Sequence, residues 1–323
     1  MKKLNTGFIK LVTLLNDGHY HDGTTLGEIL GITRGAIWKS IKKLQEYGIQ
    51  MDSVKGKGYS LLEPLILLNQ KTIKQNISHK KINLYFFETI DSTNEYLKHL
   101  PRKNQIKICM AEQQTQGKGR LRRQWHSPFG QNIYFSCAYP FNKDVTALAG
   151  LSLVVSLAVV KTLETYGLKH PLQVKWPNDI IYDHKKVSGN LIEIQAESHG
   201  ICHVIIGIGI NVNLMQDDDH AISQAWTSLR KMTGEYIDRN ILSALLIENL
   251  FNYLALFEHH GLTYFIDEWN RADYLMNQDI TLKYVDKKIH GKAKGINQLG
   301  HLRLKCHDGT LQAFSSGDTT IVK

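Results

Sequence analysis

Cysteine is scarce in this chain of 323 residues, and Cys109, Cys137, Cys202 and Cys306 stand far apart with no CxxC pair. That spacing argues against a disulfide framework and a zinc site, and their apolar, strand-like surroundings mark them as reduced core thiols. Long hydrophobic runs are lacking too. The longest, Leu148 to Val160, falls short of the roughly 20 residues that a membrane-spanning helix needs, and Gly150, Ser152 and Ser156 interrupt it. It reads as a buried helix, and no membrane partner is expected. The basic N-terminus carries no apolar core or small-residue cleavage site, so the cytoplasm is the expected location. Acidic residues are in deficit: 39 Lys and Arg stand against 30 Asp and Glu, a formal charge of +9. Such a surplus suits a polyanionic partner or an anionic substrate, and charge alone does not choose between them. With 42% hydrophobic residues the chain can build two or three cores.

What is present begins with a helical unit. Phe8, Ile9, Leu11, Val12, Leu14 and Leu15 recur at helical spacing before Asp17-Gly18, and a short helix is expected over Thr25 to Leu30. Thr33 then caps a third helix that buries Ile37, Ile41 and Leu44. The face left outside holds Arg34, Lys39, Ser40, Lys42 and Lys43, where the second helix of a helix-turn-helix would meet DNA. Ile49–Val54 and Tyr59–Leu62 flank Lys55-Gly56-Lys57-Gly58, which predicts a wing with a cationic tip. Residues 1–64 are therefore expected to form a winged helix-turn-helix that binds DNA, a protein-docking module being the alternative.

Residues 65–82 are expected to be a linker, with an amphipathic helix from Leu65 to Ser78 and a basic turn at Lys80-Lys81. Strands are predicted at Ile82–Phe87, Ile106–Ala111 and Asn132–Ala138. The first runs into Ser92-Thr93-Asn94, whose side chains can cap a helix or hydrogen-bond a polar ligand. The second feeds the stretch Gln114 to Trp125, in which Gly117 and Gly119 suit positive φ and Lys118, Arg120, Arg122 and Arg123 supply cations for a phosphate or carboxylate. A basic glycine loop of this kind also occurs as a nucleic-acid contact or a solvated turn. Leu172 to Tyr182 reads as a strand interrupted by a bulge at Pro177-Asn178-Asp179. Lys186 to Gly189 opens the next strand, and Val204 to Asn213, with Gly207, Gly209 and Asn211, is another.

Taken in order, Ser92-Thr93-Asn94, Gln114 to Trp125, Lys175 to Asp179, Lys186 to Gly189 and Gly207 to Asn211 resemble the motifs of the biotin protein ligases, and the winged helix ahead of them resembles the bifunctional class. The resemblance implies an α+β multidomain chain: a winged helix-turn-helix, a mixed α/β catalytic domain over 83–272 and an SH3-like C-terminal β-barrel over 273–323. Strands at Ile280–Val285, Ile289–Gly295, Leu302–Cys306 and Thr310–Phe314 fit that barrel. It further implies ATP-dependent formation of biotinyl-5'-AMP, transfer of biotin to a lysine of a biotin carboxyl carrier protein, and repression at operator DNA by a homodimer that forms when the adenylate is bound. Biotin would meet Ser92, Thr93, Asn94, Gln114, Gly117, Lys118, Gly119, Arg120, Lys186 and Gly189. ATP or the adenylate would meet Lys118, Arg120, Asn178, Asp179, Lys186, Asn211 and Trp226, with a core tryptophan the alternative for Trp226. The catalytic set would be Lys186 between the carboxylate and the α-phosphate, Arg120 on the phosphate, and Asp179 toward Mg²⁺ or the acceptor amine. Mg²⁺ would arrive with ATP rather than through a dedicated metal site.

The loop departs from the family pattern Gly-Arg-Gly-Arg-X-Gly-Arg: Lys118 replaces an arginine and Arg122 the third glycine. A lysine lacks the guanidinium fork, and a non-glycine at positive φ costs about 1 kcal/mol. Two other readings stay open, a lipoate-type ligase and a catalytically weakened biotin-sensing repressor.

Overall fold

The computed structural model describes every residue except Met1, Leu4, Lys80, 102–104, 197–200, 218–220 and Lys323, together with the backbone alone of Lys2, Lys3 and Ala196. Lys80 of the expected basic turn thus lies outside the described residues. The chain opens with β1 (Lys2–Lys3), which pairs with a strand of the central sheet, so the first residues belong to that sheet and not to the helical unit. Helices α1 (Thr6–Leu15), α2 (Gly23–Leu30) and α3 (Arg34–Glu46) follow. Their starts are set by side chains that accept orphan backbone N–H groups: Asn5 from Gly7, Asp22 from Thr24 and Thr25, Thr33 from Ala36. Ile37, Ile41 and Leu44 are buried as the periodicity requires. The wing is the hairpin β2 (Met51–Val54) and β3 (Gly58–Leu61).

The expected linking helix is shorter than its pattern. Only α4 (Gln70–Gln75) is helical, while Leu65 to Asn69 form neither helix nor strand. Distant side chains satisfy the backbone there: Ile66 N–H donates to the Tyr236 hydroxyl, Leu68 N–H to Glu112 Oε1 and Asn69 N–H to Asn240 Oδ1, while Arg239 and Asn240 donate to the carbonyls of Ile66 and Leu67. With those bonds made, a helix there has nothing to gain. Arg239 and Glu112, both fully buried, pair at 2.7 Å beneath this strap. Leu65, Leu67 and Phe129 share the core of the helical unit, and Phe129 stacks on Tyr47 with centroids 4.1 Å apart.

The central sheet is built from β4 (Asn83–Ile90), β5 (Lys107–Gln114), β6 (Ile133–Phe141), β7 (Gln173–Lys175), β8 (Asp179–Tyr182), β9 (Lys185–Ala196) and β10 (Cys202–Ile210). Its order is β1-β4-β5-β6-β10-β9-β8-β7, antiparallel except between β4 and β5. Alternation along β5 assigns its faces: Cys109 and Ala111 pack with Leu97 of α5 (Thr93–Lys98), while Ile108 and Met110 join the main core. That core also holds the two long apolar helices, α6 (Leu151–Thr165) and α8 (Arg239–His260), which pack against each other. Between them in sequence lies α7 (Leu229–Thr233), and α9 (Ile266–Ala272) leads on to the C-terminal unit. Strands β11 (Asp279–Tyr284), β12 (Lys287–Ile296), β13 (Leu302–Cys306), β14 (Leu311–Phe314) and β15 (Asp318–Ile321) form a separate antiparallel sheet in the order β14-β13-β12-β11-β15. Its Ile280, Leu282 and Leu304 extend the main core, and the Trp176 indole N–H donates to the Gly300 carbonyl across the junction.

The segment around Pro177 corrects the expected bulge. Lys175 pairs with Asp179 and Gln173 with Ile181, so the chain reverses into a β7–β8 hairpin whose turn holds Pro177 and Asn178. Proline lacks the N–H a ladder needs and is at ease in such a turn.

Candidate active site

A cavity of about 560 Å³ opens on the central sheet, and of the residues expected to meet biotin or the adenylate only Gly117 is not on its wall. One end is a hydrogen-bonding cradle. Ser92 caps α5 through Glu95 N–H, so its capping role holds, and it lines the cavity as well. Gln114 Oε1 accepts from both the backbone and the hydroxyl of Thr93, at 2.9 and 3.0 Å, and its amide donates to Ser127. Ser136 donates to Thr93 Oγ1 and Asn94 Oδ1, and Asn94 Nδ2 donates to Glu193 at 2.8 Å. Each polar group here is oriented by another, which suits a rigid polar ligand head. Gly207 and Gly209 keep the floor flat: a Cβ at Gly207 would collide with Asn94 and one at Gly209 with the Trp125 indole.

The other end is cationic. Lys186 Nζ lies 2.7 Å from Asp179 Oδ1 and 5.2 Å from the centroid of the Trp125 ring. A Cβ at Gly189 would come within 2.9 Å of Lys186 Cε, so the glycine clears the path of this lysine. Arg120 donates to Asn178 Oδ1 at 3.3 Å, and Asn178, itself buried, donates to the Asn190 carbonyl. Burial lowers the pKa of Arg120, opposed by the nearby Asp179 and Asp318 carboxylates. Lys175, which the sequence reading placed in the Lys175 to Asp179 motif without giving it a role, lines the same end, and burial likewise lowers its pKa against the pull of Asp179. Three cations around one or two carboxylates leave room for an anion. The Trp125 indole N–H, buried, has no hydrogen-bond partner among the described residues and is a donor on this wall.

Several expectations are corrected by the geometry. Neither Gly117 nor Gly119 has a positive φ. Gly117 is required by space, since a Cβ would lie 2.5 Å from the Trp125 carbonyl oxygen. The left-handed positions are Leu121 at φ 53° and Arg122 at φ 60°, so the strain expected at Arg122 is present and shared with its neighbour. Arg122 is exposed and Arg123 pairs with Asp318 of the C-terminal unit. Lys118, on the cavity wall, pairs with Glu95. Asn211 lines the cavity, and its amide donates to the backbone carbonyls of Lys186 and Thr227, which ties it to the strand that bears Lys186. Trp226 is half-buried on the cavity wall, bridged to Lys186, with Lys231 Nζ 3.7 Å from its ring centroid, so it is not a core tryptophan.

At the helical unit, Arg34, Lys39, Lys42, Lys55 and Lys57 are exposed. Ser40 is half-buried and donates to the Ala36 carbonyl. Lys43 departs from the expected surface: it turns to Glu88 of β4, a carboxylate with no exposure, and lies 4.5 Å from the Phe8 ring centroid.

Comparison with known proteins agrees with this arrangement. Residues 86–211 match the biotin/lipoate A/B protein ligase family, 9–60 an HTH domain and 275–319 the biotin protein ligase C-terminal domain. The chain is 37% identical to the bifunctional ligase/repressor BirA of Escherichia coli (strain K12) over 322 residues, 99% of this chain and 98% of the relative. It is 30% identical to the protein of that name from Bacillus subtilis (strain 168), over 91% of this chain and 92% of the relative. Among solved structures, the biotin protein ligase from Aquifex aeolicus in complex with biotin and ATP is similar at TM-score 0.64 and 29% identity, covering 75% of this chain and 99% of that one. The chain belongs to the bifunctional ligase/repressor family of biotin protein ligases.

Proposed function

We propose that the chain joins biotin to ATP and passes it to a lysine of a biotin carboxyl carrier protein, and that it represses transcription by binding operator DNA. The observation that carries the reading is the placing of Lys186, with Arg120 and Lys175, at one end of a single cavity whose other end is the hydrogen-bonded cradle of Thr93, Asn94 and Gln114. Biotin's ureido ring suits the cradle and its carboxylate the cationic end. In the first step a carboxylate oxygen bonds to the α-phosphorus, the bond to the bridging oxygen breaks and pyrophosphate leaves. In the second the acceptor amine, having lost a proton, bonds to the acyl carbon and AMP leaves. Neither step needs an enzyme nucleophile. What the protein supplies is position and positive charge where two anions meet. Asp179 pairs with Lys186 and would be the carboxylate that meets the acceptor amine or an ATP-borne Mg²⁺. An ATP-borne Mg²⁺ would take most of its ligands from the phosphates and water.

For repression, the exposed Arg34, Lys39, Lys42, Lys55 and Lys57 supply phosphate contacts, and a two-fold dimer doubles them. Adenylate that orders the Gly117–Trp125 loop and the Trp226 segment would lower the entropy lost on docking a second subunit, and linkage of this kind is worth about 1 to 3 kcal/mol. Biotin-dependent exchange of labelled pyrophosphate into ATP tests the ligase reading, with lipoate as the competing acid, and labelling of a carrier domain tests the transfer. Absence of exchange in the presence of Mg²⁺ would refute the ligase. Sedimentation with and without biotin plus ATP tests the dimer, which equal association constants would refute.

A further inference from the structure

Lys118, the loop cation expected at the ligand carboxylate, is already engaged. Its Nζ lies 2.6 Å from Glu95 Oε1, and Glu95 stands in the first turn of α5, outside the cavity wall. The same oxygen accepts from Lys98 at 2.8 Å; Lys98 also donates to Glu193 at 2.5 Å, and Glu193 accepts from Asn94 Nδ2 at 2.8 Å. Two lysines and two carboxylates thus form a neutral chain that runs from the loop to an amide lining the cavity. Hydrogen bonds from Lys118 and then Lys98 hold the Glu95 carboxyl down at about 2. Withdrawing Lys118 toward a ligand would leave this chain with an excess negative charge.

The loop is bonded to itself. Trp125 N–H donates to the Gly117 carbonyl at 2.9 Å, Gly119 N–H to the Arg123 carbonyl at 2.8 Å, and Lys118 bridges to Gln124. These bonds fold 117–125 into a closed hairpin that carries Arg120 and Trp125, both on the cavity wall. An anchor at Lys118 therefore sets where those two side chains stand. The cationic end of the cavity does not need Lys118, because Arg120, Lys175 and Lys186 already face it.

We propose that Glu95 is a positioning residue for the ligase reaction: by holding Lys118 it fastens the 117–125 hairpin over the cavity and sets how long the adenylate is retained. This rests on the ligase reading of the site, and two measurements separate the claims. Amide hydrogen exchange on the ligand-free full chain tests the fastening alone. Glu95→Gln is expected to speed exchange within 117–125 several-fold while the core strands keep their protection; unchanged exchange in the hairpin overturns the proposal. Release of labelled biotinyl-adenylate formed on the protein tests retention. Glu95→Gln and Lys118→Met are each expected to accelerate release by about 5-fold, the upper end for a half-exposed ion pair, and the double variant no more than either alone. A double variant at the product of the two effects, or Glu95→Gln releasing at the wild-type rate, would mean that Lys118 acts on the ligand itself and would overturn the proposal. Wild-type protein that forms no adenylate would sink the ligase reading, while the exchange data would still decide the fastening.

Discussion

Lys43 of the third helix ends on the Glu88 carboxylate of the central sheet, and the Tyr47 hydroxyl donates to the same oxygen at 2.5 Å. A lysine whose charge is matched by a buried acid adds little to the field that DNA meets.

The cations of α3 should therefore separate by function. Lys39→Ala is expected to weaken DNA binding and to lower the slope of log K against log salt by about 1. Lys43→Ala is expected to leave that slope unchanged and to destabilise the fold by up to about 3 kcal/mol, since it strips a partner from a buried carboxylate that keeps Tyr47. Salt titrations on one duplex, with urea denaturation alongside, check both.

Lys186→Ala should lower pyrophosphate exchange by roughly 10²-fold or more, as loss of a charge stabiliser at a phosphorus centre does. The Lys186 side chain lines the cavity and pairs there with Asp179, so the loss should fall on the exchange rate rather than on folding. Steady-state exchange kinetics with a thermal melt decide it, and an unchanged rate would return Lys186 to a structural role.

Lys118→Arg is expected to slow adenylate release. The guanidinium fork can meet the Glu95 carboxylate with two parallel bonds where the ammonium makes one. A pulse-chase with labelled intermediate measures this, and faster release would show that the lysine is fitted to its loop.

A pH dependence of stability should trace to Asp273, next to the junction with the C-terminal unit. Burial pushes its carboxyl up to about 6, against the pull of the Leu275 N–H that it accepts. The folded chain then keeps a proton over a range, from about 4 to about 6, in which the unfolded chain has lost it. The sign follows: this group's contribution falls as pH rises through that window and is flat above it. Asp273→Asn should remove that part of the slope in urea midpoints measured from pH 4 to 7.

Local chemistry was legible without a fold. Thr33 before an i, i+4, i+7 apolar set specifies α3 and alternation specifies the strands, because caps and periodicity act within a few residues, whereas Lys186 is marked only by the resemblance that the ordered motifs carry. Tertiary structure decided which charges are available. Lys43, Lys118 and Arg123 look alike in sequence, yet Glu88, Glu95 and Asp318, from 23 to 195 residues away, claim them. In the same way Leu65 to Asn69 carry a helical pattern and form no helix, since Tyr236, Arg239 and Asn240 meet their backbone from across the fold. Partners so remote in sequence are chosen by packing, and no local pattern encodes them.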